Sequence, residues 1–205
     1  MESTAPSSVT VAPAVDRFER SEWASAFRNV EQELTNVPLT PVRGTIPADL
    51  LGTLYRNGPG RLERNGQRVH HPFDGDGMIT ALRFEEGALA LSNRFVRTAG
   101  WQEEEAAGKV LYRGVFGSQK PGGPLANAFD LRLKNIANTG VLQLGHQSLA
   151  LWEAAEPHVL DPRTLDTHRI SLLGGLPNKV EALIPHPRFH PVHLDRPRMV
   201  TSGVI

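Results

Sequence analysis

Two residues of this chain have the types and settings that metal chemistry uses: Glu153 in Leu149-Ala-Leu-Trp-Glu, and His186 in Ile184-Pro-His-Pro. One offers a carboxylate and the other an imidazole, each in an apolar or proline-stiffened surround. An imidazole ligates divalent iron or zinc, and a carboxylate can hold a ligating imidazole from behind. Other groups compete for the same kind of role. His186, His190 and His193 are spaced four and then three residues apart. Histidines four apart share one face of a helix and can bind zinc together. Pro185, Pro187 and Pro191 forbid a regular helix here, and Pro187 stands where a zincin carries its glutamate. A small zinc site at these three histidines stays as an alternative.

The segment Phe73-Asp-Gly-Asp-Gly-Met-Ile sets Asp74, Asp76 and Glu85 at positions 1, 3 and 12 of a calcium loop. Met78 and Ile79 occupy the places of an oxygen ligand and of the sharp-turn glycine, so the segment reads instead as a turn. Its aspartates are expected to accept hydrogen bonds from backbone amides. His70 and His71 are adjacent and point to opposite sides of an extended chain. No Gly-x-Ser-x-Gly nucleophile or glycine-rich phosphate loop is present. The acidic run Glu103-Glu-Glu105 reads as a solvated face.

The elements that must position these residues are short strands. Residues 1–15, rich in Ser, Thr, Ala and Pro, read as a disordered tail. Asp16 to Leu34 reads as a helix, because Phe18, Trp23, Phe27, Val30 and Leu34 fall near a 3.6 spacing. Beyond Val37 the texture is apolar segments between turn signals. A strand is expected to end in a tight turn at Asn57-Gly58-Pro59. Met78–Phe84 and Ala88–Val96 form a hairpin around Glu86-Gly87. Val141–Leu144 and Leu149–Glu153 form a second, and His158–Leu160 with Thr167–Leu172 a third. Tyr112–Leu131 reads as irregular, and Arg198–Ile205 as β-prone. This is an all-β pattern of sandwich, barrel or propeller type, with no exact repeat at blade length. The chain stops inside an apolar strand, which reads as a truncation.

Composition narrows the classes. Twenty-two basic and 22 acidic side chains cancel, which leaves no electrostatic footprint for nucleic acid. With no cysteine, disulfide and thiolate metal sites are excluded. Nineteen glycines and 16 prolines favour a turn-rich β architecture over a helical bundle. No apolar run is long enough to span a bilayer and the start lacks a signal-peptide pattern, so a cytoplasmic protein, at most peripheral to a membrane, is expected.

Several segments in order resemble the carotenoid cleavage oxygenase family, which includes apocarotenoid oxygenases and lignostilbene dioxygenases. They are Val42-Arg-Gly-Thr-Ile-Pro, Leu54-Tyr-Arg-Asn-Gly-Pro, Phe73-Asp-Gly-Asp-Gly-Met, Arg94-Phe-Val-Arg-Thr, Ala137-Asn-Thr, Leu149-Ala-Leu-Trp-Glu and His186-Pro. The resemblance runs from about Phe18 to the end. It implies the N-terminal part of a seven-bladed β-propeller, residues 16–205, preceded by a short helix and carrying Fe(2+) on its axis. In that family four histidines from separate blades bind the iron, and glutamates hydrogen-bond three of them. The first histidine matches His186, followed by Pro187 as the family pattern has it. Glu153 matches a glutamate that supports a histidine further along the chain. His190 stands where the family carries aspartate, so a ligand register at His190 is the lesser alternative.

The other three ligands are expected beyond Ile205, and this stretch alone is expected to be inactive. The implied reaction is cleavage of a conjugated carbon-carbon double bond by dioxygen to two carbonyl products. The implied partners are a lipophilic small molecule and dioxygen, with transient membrane contact and no nucleic acid. Trp152 occupies a place where lignostilbene enzymes carry lysine, which together with Gly100-Trp-Gln-Glu-Glu-Glu points to an apocarotenoid substrate; plain core packing is the other reading of Trp152. The rivals are cleavage of a lignostilbene-type phenolic alkene, and a short non-enzymatic protein that binds apolar ligands or a partner.

Overall fold

The structure is a computed structural model that describes residues 26–123, 127, 132–171, 182–183, 186–190, 198–200 and 203–204. Its described part is mostly strands. β1 (Leu34–Pro38), β2 (Gly52–Arg61), β5 (Asp76–Glu85) and β6 (Ala88–Phe95) form one antiparallel sheet in the order β1-β6-β5-β2. The ribbon β3 (Glu63–Arg64) and β4 (Gln67–Arg68) lies between β2 and β5 in sequence. A helix, α1 (Ala99–Ala107), follows the first sheet. β7 (Gly140–Leu144), β8 (Gln147–Trp152), β9 (Ala155–Leu160) and β10 (Thr167–Ile170) form a second sheet in consecutive order. Two ribbons follow, pairing β11 (Ala182–Leu183) with β14 (Gly203–Val204) and β12 (Arg188–His190) with β13 (Arg198–Val200).

Local chemistry accounts for the three expected hairpins. Glu86 and Gly87 take φ of 46° and 82°, the pair of left-handed conformations that a two-residue turn between twisted strands requires. Gly145 at φ 58° opens the turn between β7 and β8. Asp161 builds the β9–β10 connection by accepting from the Arg163 and Thr164 amides at 2.7 and 2.8 Å. Those two backbone bonds hold its carboxyl below the ordinary range.

The sheets meet through one apolar seam. Ile79, Ala81 and Val96 from the first pack on Ala137, Ala150, Leu160 and Leu165, with Tyr55 and Val141 at its margins. Three fully buried alanines let the backbones approach closely. Polar bonds lock the seam at its rim: the Tyr55 hydroxyl and Arg83 donate to Pro162 O, and Arg94 donates to Thr164 O. The far face of the first sheet carries Val37, Leu91, Leu82 and Leu54 in one row across all four strands. Leu54 is half exposed there.

Three expectations are corrected. Ala26 is helical, but residues 27–33 are not and Leu34 opens β1; residues 16–25 of the expected helix, with the 1–15 tail, lie outside the described residues. Asn29 explains the extended path, accepting from Leu62 N and Glu63 N and donating to Glu63 O. Asn57-Gly58-Pro59 is not a turn, because β2 runs straight through it, paired with Ile79, Met78 and Gly77. β2 is the edge strand, where a proline without an N–H costs no ladder bond.

The third correction is Glu104, which is buried rather than solvated. α1 starts at Thr98, whose hydroxyl accepts from Trp101 N, and it turns Glu104 inward. Arg64 bonds Asp76 at 2.7 Å and Glu104 at 3.0 Å, and Lys134 bonds Asp76 at 2.7 Å and Glu104 at 2.6 Å. The four side chains are 1–8% exposed, and their signs alternate around a closed, buried ring. Burial opposes the Arg64 charge, but Asp76, Glu104 and Glu105 outweigh it and hold its pKa above the ordinary value.

Two outcomes follow. Glu104→Leu leaves Arg64 and Lys134 undercompensated and should cost ~3–5 kcal/mol in urea unfolding; a loss below about 1 kcal/mol would contradict the ring's role. His158 is buried in the second sheet, and burial lowers its pKa below the ordinary 6.5, with Glu156 opposing weakly. The unfolded chain therefore binds more protons below that value, and His158 costs stability as pH falls through it. Between about pH 7.5 and 5.5 the melting temperature should fall more for the native chain than for His158→Leu. Parallel profiles would refute this.

Candidate active site

The adjacent Trp152 and Glu153 line one cleft of about 350 Å³ together with His186, more than thirty positions further on. β8 ends at Trp152, which turns its ring into the cleft while staying 5% exposed. Trp152 is thus buried in the core and also forms part of the cleft wall. Glu153 follows in the β8–β9 turn and is exposed; among the described residues its carboxylate takes no hydrogen bond. His186 is exposed just before β12. His190 sits in β12, paired with Arg198, so residues 188–190 are extended rather than helical; His193 lies outside the described residues.

The remaining walls come from residues that sequence reasoning did not single out. Phe73 and Phe116 contribute exposed rings, and Asn57, Asn138 and Thr139 contribute polar edges. The quoted motifs around Asn57, Phe73 and Asn138 were the available signal, but motif order carries no information about which side chain faces a cavity.

The cleft stands on a polar scaffold. Asp74 is buried and accepts from Phe116 N at 3.0 Å, Ser118 N at 3.2 Å and Ser118 Oγ at 2.6 Å. The expected role of an aspartate bonding backbone amides thus holds for Asp74, whereas Asp76 pairs with Arg64 and Lys134. His71 caps the single turn Pro72–Asp74, its Nδ1 accepting from Phe73 N at 3.1 Å.

The strap 135–139 is clamped on three sides. Asn57 Nδ2 donates to Ala137 O and Gly140 O at 2.8 and 2.7 Å. Asn138 Nδ2 donates to Phe73 O and Gly75 O at 2.9 and 2.8 Å. Gly77 N donates to Ile136 O, and a Cβ on Gly77 would lie 2.1 Å from Ala137 O, so only glycine fits. A second, smaller space of about 20 Å³ is lined by Trp152 together with Arg64, Glu104 and Lys134.

One imidazole with a nearby carboxylate suits part of a histidine-rich iron site and cannot hold a metal unaided. Among the described residues no three His, Asp or Glu side chains converge as a metal-binding group. No helix among them is long and apolar enough to cross a membrane.

The fold and the ordered motifs define a class. The retinal pigment epithelial membrane protein (RPE65) family profile matches residues 27–201. The chain is 47% identical over 183 residues to apocarotenoid-15,15'-oxygenase of Synechocystis, covering 89% of this chain and 37% of that protein. It is 38% identical to carotenoid cleavage dioxygenase 7 of rice, covering 69% of this chain and 24% of that one. Isoeugenol monooxygenase of Pseudomonas nitroreducens is 33% identical, over 73% of this chain and 30% of that protein. A glutamate-to-aspartate variant of Synechocystis apocarotenoid oxygenase superposes with a TM-score of 0.83 at 46% identity, over 88% of this chain and 38% of that one. A cobalt-substituted form of the same Synechocystis protein superposes equally, so that protein binds a metal. This chain belongs to the RPE65/carotenoid cleavage oxygenase family. It spans less than two-fifths of the length of the relatives named here.

Asp74→Ala removes three hydrogen bonds from the loop behind Phe116. It should lower stability by ~2–4 kcal/mol and open residues 114–118 to proteolysis. An unchanged cleavage pattern and melting temperature would contradict that role.

Proposed function

We propose that the polypeptide containing this chain is an Fe(II)-dependent dioxygenase that cleaves a conjugated double bond of an apocarotenoid. The observation that carries this reading is the convergence of Trp152, Glu153 and His186 on one cleft walled by Phe73 and Phe116. His186 would be one of four iron-binding imidazoles, and Glu153 would hydrogen-bond another supplied by the rest of the polypeptide. Bound iron would supply the chemistry of dioxygen. The chain's own residues would exclude water with aromatic walls and present the alkene along them. Each carbon of the broken double bond gains one oxygen atom, so two carbonyl fragments account for both atoms of dioxygen.

The seven-bladed propeller belongs to the same proposal. It is supported by two consecutive four-stranded antiparallel sheets packed face to face, and by the apolar row on the first sheet's far face. This stretch alone would lack activity, since one imidazole does not retain iron. The apolar walls and lipophilic substrate also favour transient contact with a membrane surface.

The test uses the intact natural polypeptide, loaded with Fe(II) and offered an all-trans apocarotenal or a hydroxystilbene. Aldehyde products from the apocarotenal are expected. Cleavage of the hydroxystilbene alone would move the assignment to phenolic alkenes, and cleavage of neither would sink it. His186→Ala should purify with clearly substoichiometric iron, and Glu153→Gln should lose about 10–100-fold in iron affinity or activity. Full iron content in His186→Ala would remove that residue from the ligand set.

A further inference from the structure

The geometry points to His71 as a positioning residue for the cleft: its ring braces Phe73 and Phe116 and so sets the aromatic wall along which a conjugated alkene lies. This rests on the alkene-cleaving reading above. His71 does not line the cleft; it acts through the two rings that do.

The backbones of both phenylalanines have anchors besides His71. Asp74 Oδ1 holds Phe116 N at 3.0 Å, and Asn138 Nδ2 holds Phe73 O at 2.9 Å. What these bonds leave free is the side-chain torsions. Phe73 is 59% and Phe116 42% exposed, so no surrounding core locks their rotamers. The neighbouring rings do so instead. His71 meets Phe73 edge-on at 4.8 Å and 74°, and stacks on Phe116 at 5.2 Å and 30°. Phe73 and Phe116 meet at 5.5 Å and 79°, closing a triangle of favoured aromatic geometries. His71 is itself oriented, because its Nδ1 accepts from Phe73 N at 3.1 Å. A ring fixed by a backbone bond and touching two otherwise exposed rings is a brace. Without it, Phe73 and Phe116 gain rotamers that fill or widen the cleft, and an extended polyene loses a preformed face to lie on.

Two substitutions separate the brace from the cap. His71→Asn keeps an acceptor for Phe73 N and removes the ring, whereas His71→Phe keeps a ring and removes the acceptor. In the intact polypeptide stripped of metal, all-trans-retinal serves as the polyene probe, read by quenching of tryptophan fluorescence. H71N should weaken its Kd about tenfold and H71F by less than about threefold. In the iron-loaded protein, H71N should raise KM while kcat stays near native. Equal Kd for the native protein and H71N overturns the proposal. So does H71F being as damaging as H71N, which would make the cap the whole of the role. If the native protein binds no retinal, the substrate reading itself falls and takes this one with it. Native binding with an unaffected H71N removes the brace alone.

Discussion

The buried ring of Arg64, Asp76, Glu104 and Lys134 is the constraint on which the rest of the structure depends. Four charges withdrawn from water are tolerated only where each meets opposite partners on two sides, and this ring satisfies that condition. It ties together four pieces with little apolar reason to meet: the β3–β4 ribbon, the start of β5, helix α1 and the strap entered at Lys134. Gly100 shows how closely α1 is drawn in, since a Cβ there would lie 2.3 Å from the Lys134 side chain. Glu104 also extends the order outward, its other oxygen accepting from Leu111 N and Tyr112 N at 2.9 and 3.2 Å.

That ordered base is what lets the cleft be apolar. Rings such as Phe73 and Phe116 are exposed, and hydrophobic packing does not hold exposed rings in place. Their backbones are held by polar groups behind them, with Asp74 gripping the 116–118 loop and Asn138 gripping the Phe73 turn. Trp152 stands between the two regimes. It lines the cleft and also the small space shared with Arg64, Glu104 and Lys134. The charge ring thus reaches the site through a single side chain and through the strap, without contributing a charge to the cleft itself.

Much of the strand pattern was legible because hairpin turns are local. Glu86-Gly87 and the Asp161 turn depend on residues within a few positions, and both lie where turn chemistry puts them. The same local logic misread Asn57-Gly58-Pro59. Its turn signal is strong, but an edge strand imposes no penalty on proline, and pairing with β5 carries the chain through. The helix expected over 16–34 failed over 27–33 because Asn29 satisfies backbone groups of β3 in an extended path. α1 was missed for the opposite reason. It has no apolar stripe, and its inward residue is a glutamate.

By itself the sequence determined the β-rich class, the positions of the hairpins, the family through its ordered motifs, and Glu153 and His186 as residues worth watching. Only the tertiary structure decided that Glu104 is a buried ion rather than a solvated one, and that Phe73, Phe116, Trp152, Glu153 and His186 face one cleft. The physical reason is range. Turn and strand preferences are set by a residue and its near neighbours, whereas a buried charge or a cavity wall is set by partners tens of residues away. Arg64 meets Glu104, and Trp152 comes to line one cleft with His186, only once the chain has folded.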